Sequence, residues 1–205
     1  MRTVVTEVLV VDAANPDAEV VARAAAVLRD GGLVAFPTET FYGLGAAASD
    51  AAAVRRVFRV KGRDEGKPLL VLVDSIAMAE RVAEVTRRAR ELMARHWPGA
   101  LTLVLPARAG LPPELTAGTG TIGVRLSPHP VARGLARALG GPVTAPSANL
   151  AGAPPPSTAA AVLAGFDGAI DLVLDGGATG GGPPSTVVDV TTDPPRVLRW
   201  GAVPL

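Results

Sequence analysis

Two hydrophobic periods alternate along this chain. Val20, Val21, Ala24, Ala25 and Leu28 recur at helical spacing behind Asp17, a good capping residue, and Gly31-Gly32 follows; the spacing predicts a helix that ends there. Leu33-Val34-Ala35-Phe36 then reads as a buried strand. Ser49 or Asp50 caps a second helix, with Val54, Val57 and Phe58 on one stripe and Arg55, Arg56 and Arg59 off it. Lys61-Gly62-Arg63 stands at its exit. Leu69-Leu70-Val71-Leu72-Val73 is a continuous apolar run suited to a buried strand, and Val82, Val85, Ala89 and Leu92 mark one helix before Trp97-Pro98-Gly99 breaks it. Further strands are expected at 101–105, 122–126, 142–145, 170–174, 186–190 and 196–199, and helices near 129–139 and 157–164.

This alternation predicts an α/β protein. At 205 residues, 48% hydrophobic and 19% charged, the chain can bury a sizeable core, and one domain over 1–205 is the expected organisation. The Pro/Gly-rich stretches 152–156 and 176–184 separate elements too short to fold alone, so they read as functional loops within that domain.

Charge and rare residues narrow the chemistry. Twenty Lys plus Arg against nineteen Asp plus Glu leave a net charge of +1, so any cationic site must be local. The absence of cysteine excludes disulfides and thiolate metal sites, and two histidines, His96 and His129, give little material for a protein-held metal. Both border proline turns and read as structural. Met1 to Val5 runs straight into mixed polar sequence with no long apolar region, so neither a leader nor a membrane span is expected, and a cytoplasmic location follows.

Three segments carry candidate chemistry. Thr38, Thr40 and Tyr42 alternate after Pro37, so an extended segment would project their hydroxyls to one side, with Glu39 and Phe41 on the other. Arg55, Arg56, Arg59, Lys61, Arg63 and Lys67 put six cations in thirteen residues; a solvated basic face and an anion site are both open readings. Ala145-Pro146-Ser147-Ala148-Asn149 offers a hydroxyl and an amide at the carboxyl end of a short strand, where open α/β sheets bind ligands, although these are also turn formers. Gly118-Thr119-Gly120-Thr121-Ile122-Gly123 leads into a strand and opens no helix, and the 176–182 loop has no lysine, so dinucleotide and P-loop sites are excluded at motif level. Ser147 and Ser185 have no evident histidine partner, which argues against a hydrolase triad.

Taken in order, Pro37-Thr38-Glu39-Thr40 with Tyr42-Gly43-Leu44-Gly45, Lys61-Gly62-Arg63, Trp97-Pro98-Gly99, Ile122-Gly123-Val124-Arg125, Ala145-Pro146-Ser147-Ala148-Asn149, Ser185-Thr186-Val187-Val188-Asp189 and Leu198-Arg199 resemble the YrdC-like threonylcarbamoyl-AMP synthases, nearly end to end. The resemblance implies a single-domain, twisted, open mixed β-sheet with flanking helices. It implies an enzyme joining ATP, L-threonine and bicarbonate into threonylcarbamoyl-AMP and pyrophosphate, the first step towards threonylcarbamoyladenosine at position 37 of tRNA. A Lys-x-Arg and Ser-x-Asn tetrad falls on Lys61, Arg63, Ser147 and Asn149, the implied catalytic residues. Thr40, Arg125 and Ser185 are implied threonine contacts; Arg63, Lys67, Thr121, Ser147 and Arg199 are implied ATP contacts. Mg2+ would enter bound to ATP, with no prosthetic group and no resident metal.

The chain departs from many such relatives at Leu72, where they carry a histidine near threonine, at Pro155, where they carry a serine, and at Pro184, where they carry a glutamate. It stops at Leu205, just past Arg199-Trp200-Gly201, and so looks like a minimal form expected to hand its product to separate tRNA threonylcarbamoyl transferase proteins. Two alternatives stand beside this one. The same cations could form the cleft of an RNA-binding module, although 3% aromatic residues leave few stacking platforms. A diverged enzyme with the same fold and another acceptor is the second.

Overall fold

Each main helix starts on a side-chain cap. In the computed structural model, which describes residues 5–205, the Asp17 carboxylate accepts from the backbone of Glu19 and Val20 to open α1 (Ala18–Arg29), and Asp50 accepts from Ala52 and Ala53 to open α2 (Ala51–Lys61). Of these two capping candidates for α2, Asp50 is therefore the cap. Residues 1–4, on which the reading of the amino terminus partly rests, lie outside the described residues.

The remaining helices are α3 (Ile76–Val82), α4 (Arg87–His96), α5 (Pro113–Thr116), α6 (Pro130–Leu139) and α7 (Ala159–Phe166). The single helix expected through Val82 to Leu92 is two. Ala83 is extended and bridges Ala107, and Thr86 begins a new helix by accepting from Ala89 N, so the apolar spacing continues across a break that it cannot reveal.

The strands are β1 (Glu7–Val10), β2 (Val34–Phe36), β3 (Gly43–Gly45), β4 (Leu70–Leu72), β5 (Leu101–Pro106), β6 (Thr121–Arg125), β7 (Val143–Thr144), β8 (Leu172–Asp175), β9 (Thr186–Asp189) and β10 (Arg196–Arg199). They form two mixed sheets and not the one expected: four strands in the order β1-β8-β2-β3, and six in the order β10-β9-β5-β6-β4-β7. The sheets meet at their edges, where isolated bridges join Gly43 to Ser147 and Ala47 to Val143. Backbone bonds from Leu44 N to Pro146 O and from Ala148 N to Tyr42 O, each 2.8 Å, complete the seam.

Leu101, Leu103, Leu105, Ile122, Val124 and Val71 are all at most 1% exposed on one face of the larger sheet, and α4, α5 and α6 contact its strands. In the smaller sheet, β2 and β8 are buried against α1 and α7. Between them, the free face of the six-stranded sheet and the seam form a cleft.

Candidate active site

The floor of the cleft follows from strand register. Gly123 pairs with Val104 on one side and Leu70 on the other, while Thr102 and Val104 pair with Val187 and Asp189. Side chains alternate along a strand, so Leu70, Thr102, Val104, Thr121, Gly123, Arg125, Val187 and Asp189 share one face. All of these but Arg125 line a cavity of about 430 Å³, closed by Arg63, Ser147, Leu198 and Arg199. A second cavity, of about 280 Å³, is lined by Thr38, Thr40, Phe41, Tyr42, Arg125, Ser185, Pro155 and Pro184. The two share Leu70, Ser147 and Arg199, so they are adjoining compartments of one site.

Thr40, Arg125 and Ser185, the expected threonine contacts, all lie in the smaller compartment. Arg125 is 5% exposed, and its Nη1 is 3.7 Å from Glu39 Oε1. Ser127 Oγ donates to the other Glu39 oxygen, so one carboxylate is held from both sides. Arg125 Nε has no hydrogen-bond partner among the described residues. Burial holds the Arg125 pKa below its ordinary value, Glu39 opposes that and Arg199 adds to it; an arginine stays charged regardless. The site therefore presents a desolvated cation with donors to spare, suited to a carboxylate.

Thr38 and Thr40 reach the compartment by a bend and not by the extended segment expected. Thr40 N donates to Thr38 Oγ1 at 3.2 Å and Thr38 Oγ1 donates to Phe41 O at 2.7 Å, a local hydroxyl turn that brings Phe41 into the cavity and sends Glu39 to Arg125. The 176–184 loop is fastened to this turn: Thr179 Oγ1 and Gly181 N both donate to Thr40 O at 2.8 Å, and Tyr42 OH donates to Gly177 O at 2.7 Å. Burial pushes the Tyr42 phenol up to about 12. That loop is a wall of the site.

Ser185 and Arg199 form one unit across the two compartments. Arg199 Nη2 donates to Ser185 O at 2.8 Å and to Ser185 Oγ at 3.1 Å, and Ser185 Oγ is 3.0 Å from Thr102 Oγ1. Gly201 lets the chain past β10 close over this pair, for a Cβ there would lie 2.0 Å from Pro184 O. Burial lowers the pKa of Arg199, as it does that of Arg63.

Of the expected nucleotide contacts, Arg63, Thr121, Ser147 and Arg199 line the larger compartment; Lys67 does not, being exposed on the turn after Asp64. The tetrad is divided too. Ser147 lines both compartments and Arg63 one, with its Nη2 donating to Pro68 O at 3.1 Å. Lys61, at the end of α2, is 3% exposed and lines neither; its Nζ donates to Ser147 O and Asn149 O at 2.5 and 2.6 Å. Gly62 ends α2 in the left-handed region, φ 58°, which turns Arg63 back toward the cleft while Lys61 stays inside. Asn149 also lines neither compartment, its amide donating to Leu150 O and Ala153 O.

The six clustered cations are thus dispersed. Arg55 pairs with Glu114, Arg56 donates to Asp171 and Gly31 O, Lys61 is spent on carbonyls, and only Arg63 reaches the cleft. Leu72, at 1% exposure, lines neither cavity; Leu70 holds the floor in its place, whereas Pro155 and Pro184 do line the smaller one. His129 caps α6, with Nδ1 accepting from Val131 N, and lines neither. The floor residue Asp189 and the pair Glu39 and Ser127 were not singled out by sequence; the two-residue alternation Val187, Asp189 beside Thr102, Val104 was the signal for the first. Among the described residues no group of three or more His, Cys, Asp or Glu side chains could hold a metal ion, and no helix is long and apolar enough to cross a membrane.

Known proteins share this fold. The Sua5/YciO/YrdC family model, described as "Telomere recombination", matches residues 26–201. A threonylcarbamoyl-AMP synthase of Bacillus subtilis is 45% identical over 89% of this chain and 54% of its own length. One of Thiobacillus denitrificans is 43% identical over 85% of this chain and 92% of its own. The crystal structure of Pyrococcus abyssi Sua5 complexed with L-threonine superposes with a TM-score of 0.94 and 43% identity, covering 98% of this chain and 59% of that one. The chain thus spans about half the length of the Bacillus relative and three-fifths of the Pyrococcus structure. With a match over most of its residues, a shared fold and these identities, the chain belongs to the Sua5/YciO/YrdC family.

Proposed function

We propose that this protein is a threonylcarbamoyl-AMP synthase. The observation that carries the reading is the pair of compartments meeting at Ser147 and Arg199, one holding the buried Arg125 with Thr38, Thr40, Tyr42 and Ser185, the other Arg63 and Thr121. An amino acid and a nucleotide bound side by side would meet at that junction. The relatives' names and the L-threonine in the Pyrococcus structure support threonine as the amino acid.

In this reading Arg125 holds the threonine carboxylate, with Thr40 and Ser185 beside it. The neutral threonine amine combines with bicarbonate to give an N-carboxylate: the N–C bond forms, a C–O bond of bicarbonate breaks, and its hydroxyl leaves with an amine proton as water. One carbamate oxygen attacks the α-phosphorus of ATP, the new O–P bond forms, and the bond to the β-phosphate oxygen breaks to release pyrophosphate. That nucleophile is already anionic, so the step needs no general base, in keeping with a cleft lined by no histidine among the described residues. Arg63 and Arg199 stabilise charge on the phosphate oxygens, and positioning supplies the rest. In this reading Mg2+ enters bound to the ATP phosphates. The product passes to separate tRNA threonylcarbamoyl transferase proteins, in the cytoplasm.

The test is pyrophosphate release from ATP, Mg2+ and bicarbonate, with L-threonine, with L-serine and with neither. Release that requires threonine supports the proposal; release indifferent to the amino acid, or none in any mixture, overturns it.

A further inference from the structure

Among the described residues, Asp189 is the one carboxylate lining the joined compartments, in a site otherwise furnished with Arg63, Arg125 and Arg199. It stands on the floor of the larger compartment beside Val104, two residues beyond Val187 along β9, and so roughly 7 Å further from Ser185 and the amino-acid side. Its Oδ1 is occupied, accepting from Thr191 N at 2.9 Å and Thr191 Oγ1 at 2.6 Å, which fixes the side chain. No hydrogen bond from the described residues goes to Oδ2. Around it the cavity wall is formed by Val104, Val187 and Leu198, with Arg196 as its cross-strand partner on β10 and no ion pair between the two among the described residues.

A fixed carboxylate at that end repels phosphate and accepts from neutral donors. Arg199, bonded to Ser185, and Arg63, across the floor beside Pro68, do the reverse, so the acceptor and the cations occupy different parts of the compartment. We propose that Asp189 fixes the nucleoside half of the bound nucleotide, its Oδ2 accepting from the ribose hydroxyls or the exocyclic amine, and so directs the phosphates toward Arg63 and Arg199. The inference rests on the nucleotide-using function proposed above and assigns the orientation of the nucleotide within that site.

Asp189→Asn is the discriminating variant, because its amide oxygen can still accept from Thr191 while a donor replaces Oδ2. Calorimetric binding of ATP, 2′-deoxy-ATP, 3′-deoxy-ATP and inosine triphosphate to wild type and variant needs no turnover. Loss of a hydrogen bond to a charged group predicts ATP binding weaker by about tenfold or more in Asp189→Asn, with an unchanged melting temperature and an unchanged threonine KM. Weak wild-type binding of a deoxy analogue, erased as a difference in the variant, identifies the ribose; the same pattern for inosine triphosphate identifies the amine. Equal ATP affinity in wild type and variant, or wild-type binding of all four nucleotides alike, overturns the assignment. Wild-type ATP binding that depends on Asp189 without threonine-dependent turnover would uphold the assignment and sink the proposed reaction; no ATP binding by wild type would sink both.

Discussion

Lys61 Nζ lies 2.5 Å from the carbonyl oxygen of Ser147, so the last side chain of α2 clamps the loop that carries the serine shared by both compartments. A second bond to Asn149 O and a backbone bond from Ala151 N to Lys61 O tie the same two segments. From sequence alone a lysine at a helix exit reads as a free cation whose loss would spare the fold. Its burial says otherwise. Lys61→Ala should abolish adenylate formation and also lower stability by about 1–3 kcal/mol, because buried carbonyls lose their donor. Denaturant unfolding beside the turnover assay checks this; an unshifted midpoint would contradict the clamp.

Acidity gives Lys61 a second signature. Burial, with a smaller push from Arg63, lowers its pKa from 10.5 to about 8. Between about pH 8 and 10.5 the unfolded chain holds a proton that the folded one has released, so this group's contribution to stability rises with pH there and is lost as pH falls through about 8. Activity that relies on the charged ammonium moves the opposite way, falling as pH rises through about 8. Parallel pH series of turnover and of unfolding midpoint, each compared with Lys61→Met, should diverge in this window.

Glu39 positions Arg125 and does not itself line the cleft. Arg125→Ala should raise the threonine KM by about a hundredfold or more, the loss expected for a buried, charge-assisted carboxylate contact, while leaving ATP affinity near wild type. Glu39→Gln should raise the threonine KM by a smaller factor and leave kcat nearly unchanged, because it loosens the guanidinium without removing it. Steady-state kinetics in threonine and ATP separately would show this. Equal effects on both substrates would move Arg125 to the nucleotide side.

Gly201→Ala tests the wall behind Ser185. The new methyl would meet Pro184 O and Ser185 C at 2.0 and 2.7 Å, and the bonds of Gly201 N and Val203 N to Thr186 Oγ1 depend on that close approach. The variant should lose several degrees of melting temperature, on the order of the shift from a 1–2 kcal/mol defect in a chain of this size, and its threonine KM should rise through displaced Ser185. Thermal unfolding and kinetics report the two effects.

Much of the fold was legible because buried strands and amphipathic helices leave periodic apolar runs, as in Leu69 to Val73 or Val54, Val57 and Phe58. What escaped was set by contacts distant in sequence. Gly43 and Gly45 allow either a close backbone approach or a turn with positive φ; they form β3, where a side chain at Gly45 would strike Phe36 on the neighbouring strand and Val143 across the seam of the sheets. The division into two sheets is likewise a property of that seam. In the site, Arg125, Ser185 and Arg199 were named by the family resemblance of their motifs, whereas the inward turn of Lys61 depends on two carbonyls more than eighty residues away. Nothing local distinguishes it from Arg63. The floor carboxylate Asp189 was visible only once register put it beside Val104 and Gly123.

The most direct test of the central claim is mass spectrometry of the product formed from ATP, Mg2+, L-threonine and 13C-labelled bicarbonate. The account predicts an adenylate carrying both threonine and one labelled carbon, matched by an equal amount of pyrophosphate and absent when threonine is omitted. An adenylate of threonine without the labelled carbon, or no threonine-bearing adenylate, would contradict it.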